Sequence, residues 1–189
     1  MKDQSHKFDT KKSGIFFFKS SNPFEFYHIL NGIDLEPNKD IYGTLIFPEN
    51  TKLPCPLVIA IHGSVGLRGN HHDHMVNLLE AGIAIFRIHS FESRGIISIV
   101  ENQMEVTLAT MITDAFRGLS LMSQHPDIDS NKIGIMGWSL GGSTSFYSAW
   151  ITFILSLTMG NEKFSAHLPL YPGTHIKPDV NENVIKLLD

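Results

Sequence analysis

Gly137-Trp138-Ser139-Leu140-Gly141-Gly142 sets a serine in a G-x-S-x-G pattern with one more glycine behind it. The apolar run Lys132-Ile133-Gly134-Ile135-Met136 leads in, and a helical pattern leads out. Strand, tight turn, helix is the order that a serine nucleophile needs. The hydroxyl is pushed clear of the sheet and a helix N-terminus lies behind it. Glycines flank it because a Cβ would clash in so sharp a turn. The chemistry is attack of the Ser139 hydroxyl on a carbonyl carbon. A second motif, His62-Gly63-Ser64-Val65-Gly66, closes another apolar run, Leu57 to Ile61. A glycine-rich loop in that place can aim backbone N–H groups at a developing oxyanion. Leu140 N–H is one expected donor, and Ser64 or Val65 supplies the other.

Three further groups could carry chemistry. His71-His72-Asp73-His74 lacks the spacing of a metal-binding helix and has no cysteine partner. It reads as a solvated first helical turn, and no metal or organic cofactor is expected. Arg94 either grips a substrate carboxylate through its planar fork or pins its own loop. Asp114 falls on a long helix and reads as a structural polar contact.

The elements that position these residues follow from hydrophobic periodicity. Gly14 to Lys19 and Phe24 to Leu30 are short aromatic-rich stretches read as edge strands, and Ile41 to Phe47 is a strand closed by Pro48. Leu57 to Ile61 is wholly apolar, the pattern of a strand buried on both faces, and Ile83 to Ile88 is another buried strand. Between them Met75, Leu78 and Leu79 fall at helical spacing, with Gly82 as the stop. Glu101 to Gln124 is the clearest helix: Leu108, Met111, Ile112, Ala115, Phe116, Leu119 and Met122 form one stripe. After the serine, Phe146, Ala149, Trp150, Phe153, Ile154 and Leu157 are expected on one face of a single helix, and Ala166 to Leu170 is a final strand. Alternating strands and helices imply a mostly parallel sheet with helices on both faces, whose sites form at the carboxyl ends of strands. His62, His89 and Ser139 all sit there.

Composition excludes several classes. The 189 residues are 42% hydrophobic and 18% charged, with a net charge of −4 and no basic block, so nucleic acid is not an expected partner. The longest apolar stretch, Phe146 to Met159, is too short and too interrupted to span a bilayer. A lone cysteine, Cys55, cannot form an internal disulfide. A soluble cytoplasmic protein is expected, with a flexible segment over 1–13 and one domain over 14–189.

The chain resembles the dienelactone hydrolase-like branch of the α/β-hydrolase superfamily over approximately Gly14 to Gly173. The resemblance rests on the His62 to Gly66 loop, Phe86-Arg87-Ile88-His89-Ser90-Phe91 through Arg94-Gly95, His125-Pro126 with Asp129, Ile133 to Gly142, and Tyr171-Pro172-Gly173. It implies an α/β-hydrolase fold and hydrolysis of a carboxylic ester or lactone through an acyl-enzyme on Ser139. His62, His89, Arg94 and Trp138 are the candidates for lining the substrate site. Position 139 is serine where dienelactone hydrolases proper carry cysteine, as in the esterase-like relatives. His89 stands where many relatives have aspartate, and is expected to line the pocket.

The resemblance also implies two more strands, bearing a catalytic acid and then a histidine, after the point this sequence reaches. His167 lies inside a strand and reads as structural. His175 is the candidate base, although its neighbour Asp179 comes after it rather than before, and Glu162 falls in a loop. The alternative to an ester hydrolase is therefore an incomplete hydrolase fragment, or a non-catalytic binding module lacking the triad Asp and His. A second chain could also supply the missing pair. An uncovered sheet edge implies self-association.

Overall fold

The computed structural model describes residues 13–158 and 162–174. Its strands are β1 (Gly14–Ser20), β2 (Lys39–Ile46), β3 (Cys55–Ile61), β4 (Ala84–Ile88), β5 (Ile128–Trp138) and β6 (Ala166–Leu170). They form one sheet in the order β1-β2-β4-β3-β5-β6. The run β4-β3-β5-β6 is parallel, while β1 pairs with β2, and β2 with β4, antiparallel.

Side chains alternate across this sheet, as the pleat requires. Leu57, Ile59 and Ile61 of β3, Phe86 and Ile88 of β4, and Ile133 and Ile135 of β5 face the larger core. There they meet α1 (Phe26–Asn31), α3 (Leu108–Met122), α4 (Leu140–Tyr147) and α5 (Ile151–Leu157). Val58, Ala60, Ile85, Met136 and Trp138 face the other side, which α2 (Gly69–Glu80) covers through Met75, Leu78 and Leu79. This parity decides what surrounds the turn at Ser139.

Three expectations need correction. Phe24 to Leu30 holds a helix, α1, rather than an edge strand. Phe26 and Ile29 share its buried face, and Gly32 closes it in the left-handed conformation, φ 68°. The long helix begins at Leu108 and not near Glu101, because Thr107 caps it: the Thr107 hydroxyl accepts from Thr110 N–H at 3.2 Å. The helix expected across Phe146 to Leu157 is two helices, broken at Trp150, whose backbone is extended. The break lets Tyr147, Trp150 and Phe153 converge on Phe26, with ring centroids at 5.2, 6.0 and 5.0 Å. Rings at such distances, two of the three pairs edge-to-face, add to simple burial.

On the larger-core side, a buried ion pair ties the sheet to α3. Arg94, in a single 3-10 turn after β4, meets the wholly buried Asp114 with both arms, at 2.7 and 3.0 Å. Ser20 donates to Asp114 at 2.6 Å, and Arg94 also donates to the Ser90 carbonyl and the Asn22 amide oxygen. β1, the β4 loop and α3 are thus joined by one network with every charged atom satisfied. Cys55 is buried in β3, and burial pushes its thiol pKa up. Among the described residues no helix is long and apolar enough to cross a membrane.

Candidate active site

Ser139 follows β5 directly and opens α4. It is exposed, with φ 54° and ψ −112°, a backbone region that non-glycine residues rarely adopt. Such a residue stores on the order of 1–3 kcal/mol of strain, held by its surroundings. Here the Ser139 N–H donates to the Leu170 carbonyl of β6 at 3.0 Å, and the Ser139 carbonyl accepts from Ser143 N–H at 2.9 Å. Close approach makes the flanking glycines necessary. A Cβ on Gly137 would strike the Gly141 carbonyl, and one on Gly142 would strike that same Leu170 carbonyl. Ser143 then fixes the chain after β6: its hydroxyl lies 2.9 Å from both the carbonyl and the N–H of Gly173.

The His62 to Gly66 loop lies against this turn. A side chain on Gly63 would meet the Trp138 carbonyl at 3.0 Å and Ser139 Cβ at 3.5 Å. The loop is a tight reversal closed by Gly66 N–H to the Gly63 carbonyl at 3.0 Å. The Ser64 carbonyl is drawn away by Ile99 N–H at 3.0 Å and the Ser98 hydroxyl at 3.2 Å. Among the described residues, no carbonyl accepts from the amides of Ser64, Val65 or Leu140. Unpaired amides beside an exposed, strained serine can hold an oxyanion.

The other candidates are placed differently. Arg94 does not reach the site, since its guanidinium is committed to Asp114, Ser90 and Asn22. Trp138 does not line it either: it is fully buried on the α2 side, where β5 parity directs it. His62 is buried, with Nδ1 2.9 Å from the Gly63 carbonyl and its ring against Phe91. Desolvation lowers its pKa, which keeps the ring neutral.

His89 is 7% exposed and stacks on Tyr42 of β2 at 4.5 Å, rather than opening onto a pocket. Arg87 donates to its Nε2 at 3.3 Å and Thr44 lies 2.9 Å from the same atom. Nε2 must therefore accept, which leaves the proton on Nδ1, facing Glu92 at 3.7 Å. The imidazole beside it holds the Glu92 carboxyl at about 2. His167 bonds the Ser145 carbonyl within the fold at 2.9 Å. Glu162 bonds Ser123 at the opposite end of the sheet, beside a cleft of about 380 Å³ that includes Leu119, Asn131 and Lys163. His175 and Asp179 lie outside the described residues, as does the segment 1–12. Among the described residues, no histidine hydrogen-bonds the Ser139 hydroxyl, and no group of three His, Cys, Asp or Glu is arranged to hold a metal.

One arrangement escaped the sequence reading. The first turn of α2 is not solvated throughout: His71 is buried and lies flat on Trp138, 4.2 Å between centroids and 12° between planes. Trp138 Nε1–H donates to His74 Nδ1 at 2.9 Å. The signal was available in the alternation of β5, which puts Trp138 on the same side as Met136 and hence under α2.

No family model and no curated protein matches the chain. Solved structures do. A protein assigned as a dienelactone hydrolase from Klebsiella pneumoniae subsp. pneumoniae superposes with a TM-score of 0.55 and 17% identity, over 92% of this chain and 66% of that one. Est1E from Butyrivibrio proteoclasticus, solved with ferulic acid bound, gives 0.51 and 23%, over 70% of this chain and 49% of that one. The esterase Est22 gives 0.51 and 19%, over 73% and 38%. The fold is that of the α/β-hydrolases, and the chain spans between 38% and 66% of the length of these three proteins.

Proposed function

We propose that this chain carries the nucleophile and oxyanion hole of a serine hydrolase acting on carboxylic esters or lactones. The observation that carries the reading is the Ser139 backbone, strained and exposed, with the unpaired amides of Leu140 and of Ser64 or Val65 beside it. In this mechanism Ser139 Oγ attacks the carbonyl carbon, and its proton passes to a base. The carbonyl π pair moves onto oxygen, where the amides receive it. Collapse expels the alkoxide, protonated as alcohol, and leaves an acyl-serine. Water then adds, and the acid departs. His175 is the base this chain offers. The esterase and dienelactone hydrolase neighbours support the substrate class.

A second reading is favoured by one observation: none of the described histidines bonds Ser139. In that reading the base comes from a partner, or the site binds without turnover. Fluorophosphonate labelling separates the possibilities. The proposed function expects labelling that Ser139→Ala abolishes and His175→Ala slows. Labelling unchanged by His175→Ala assigns the base to another chain. No labelling, or labelling that survives Ser139→Ala, removes the serine-nucleophile reading. Self-association belongs to the same proposal, because β6 is paired on one side only among the described residues. A sharp monomer in light scattering at high concentration would overturn that part.

A further inference from the structure

We infer that His74 is a positioning residue for Ser139, holding Trp138 through the Nδ1 acceptor of its imidazole. The inference rests on the proposed function for its catalytic readout and on geometry for its substance. Trp138 precedes the nucleophile, so any tilt of the indole is passed to the Ser139 backbone through one peptide unit. The indole is gripped from α2 at two points, by the His71 ring stacked on its face and by His74 Nδ1 at its only polar atom. An indole N–H can only donate, so His74 Nδ1 must be unprotonated and the neutral ring carries its hydrogen on Nε2. Protonation places a second N–H opposite the first. The bond is then lost, and a buried donor is left without an acceptor.

His71 obeys the same logic. Its Nδ1 accepts from Arg68 N–H at 3.1 Å, and burial lowers its pKa, so it stays neutral to lower pH than an ordinary histidine. The charged or titratable groups around the clamp are Arg68, His72 and Asp73 on α2 and His62 at the end of β3. The facing strands otherwise present Ala60, Ile85, Met136 and Leu170, none of which ionises.

The test uses the full chain in a Trp150→Phe background, which leaves Trp138 as the single tryptophan. His74→Ala removes the acceptor. His74→Asn keeps an acceptor oxygen near the Nδ1 position but cannot titrate. At about pH 8, His74→Ala is expected to slow fluorophosphonate labelling of Ser139 by about tenfold, the scale of a small misplacement of a reacting group. His74→Asn is expected to restore the rate to within about twofold. Trp138 emission should shift in His74→Ala and return to the parent value in His74→Asn. A His74→Ala chain that labels at the parent rate overturns the inference. So does a His74→Asn chain that labels as slowly as His74→Ala. If the parent is not labelled at all, the hydrolase reading fails and the emission shift alone decides the clamp. If His74→Ala does not fold, His74→Asn decides it.

Discussion

At the Arg94–Asp114 pair every charged atom has a partner, whereas at the Ser139 turn the amides of Leu140, Ser64 and Val65 have none among the described residues. Both regions put polar groups beside an apolar core. In the first, the partners are all internal, so the network serves the fold: it fastens β1 and the β4 loop to α3. In the second, the partners are withheld and the backbone is strained. The proposed function has a substrate oxygen complete that arrangement. Satisfied polarity serves the fold at the first region, and the unpaired amides at the second are what the proposed chemistry would use.

The contrast is most strongly tested by breaking the satisfied side. Asp114→Ala leaves a buried guanidinium unpaired and should cost about 3–5 kcal/mol of stability. Replacing both partners with apolar residues of similar volume should recover most of that. Chemical denaturation measures both, and a double variant as weak as the single would show that the pair is more than a fastening. On the other side, Gly137→Ala forces a Cβ into the Gly141 carbonyl. It should abolish fluorophosphonate labelling while costing only about 1–3 kcal/mol, the range of overpacking. Equal losses of stability at the two sites would erase the distinction.

Ser139→Gly relieves the strained backbone and should raise stability by about 1 kcal/mol, with complete loss of labelling. Unchanged or lower stability in thermal melts would mean the turn is not strained in solution. The gentlest effect is spread over pH. His62, His71, His125 and His167 all have pKa values lowered by burial. The unfolded chain therefore takes up protons first as pH falls. Stability should be flat above the ordinary histidine value and decline below it until the depressed folded values are reached. Glu92, held at about 2, adds a further decline as pH falls from the ordinary carboxylate range towards 2. Denaturation midpoints that do not move between pH 7 and pH 5 would contradict the burial of these rings.

Much of the fold was legible because it rests on short-range pattern. The apolar runs of β3, β4 and β5 and the helically spaced stripe of α3 stand in the sequence. The serine turn was legible because its glycines are a local steric demand. What could not be read depends on distant partners. Phe24 to Leu30 looks extended until Tyr147, Trp150 and Phe153 supply the ring cluster that Phe26 enters. The break at Trp150 has the same cause. Arg94 was undecidable alone, since both of its roles use the same fork, and Asp114 settles it. Trp138 looked like a pocket residue because it neighbours Ser139 along the chain, although strand alternation sends the two in different directions.

The bond from Ser139 N–H to the Leu170 carbonyl has a consequence in time as well as in space. A chain emerging from the ribosome makes Gly137 to Gly142 first and β6 later. Until β6 docks beside β5, the serine amide lacks the acceptor that holds it at positive φ, and Ser143 lacks the Gly173 backbone it fixes. The nascent chain thus has the motif before it has the shape, and the proposed nucleophile takes its strained backbone only from the strand that follows it.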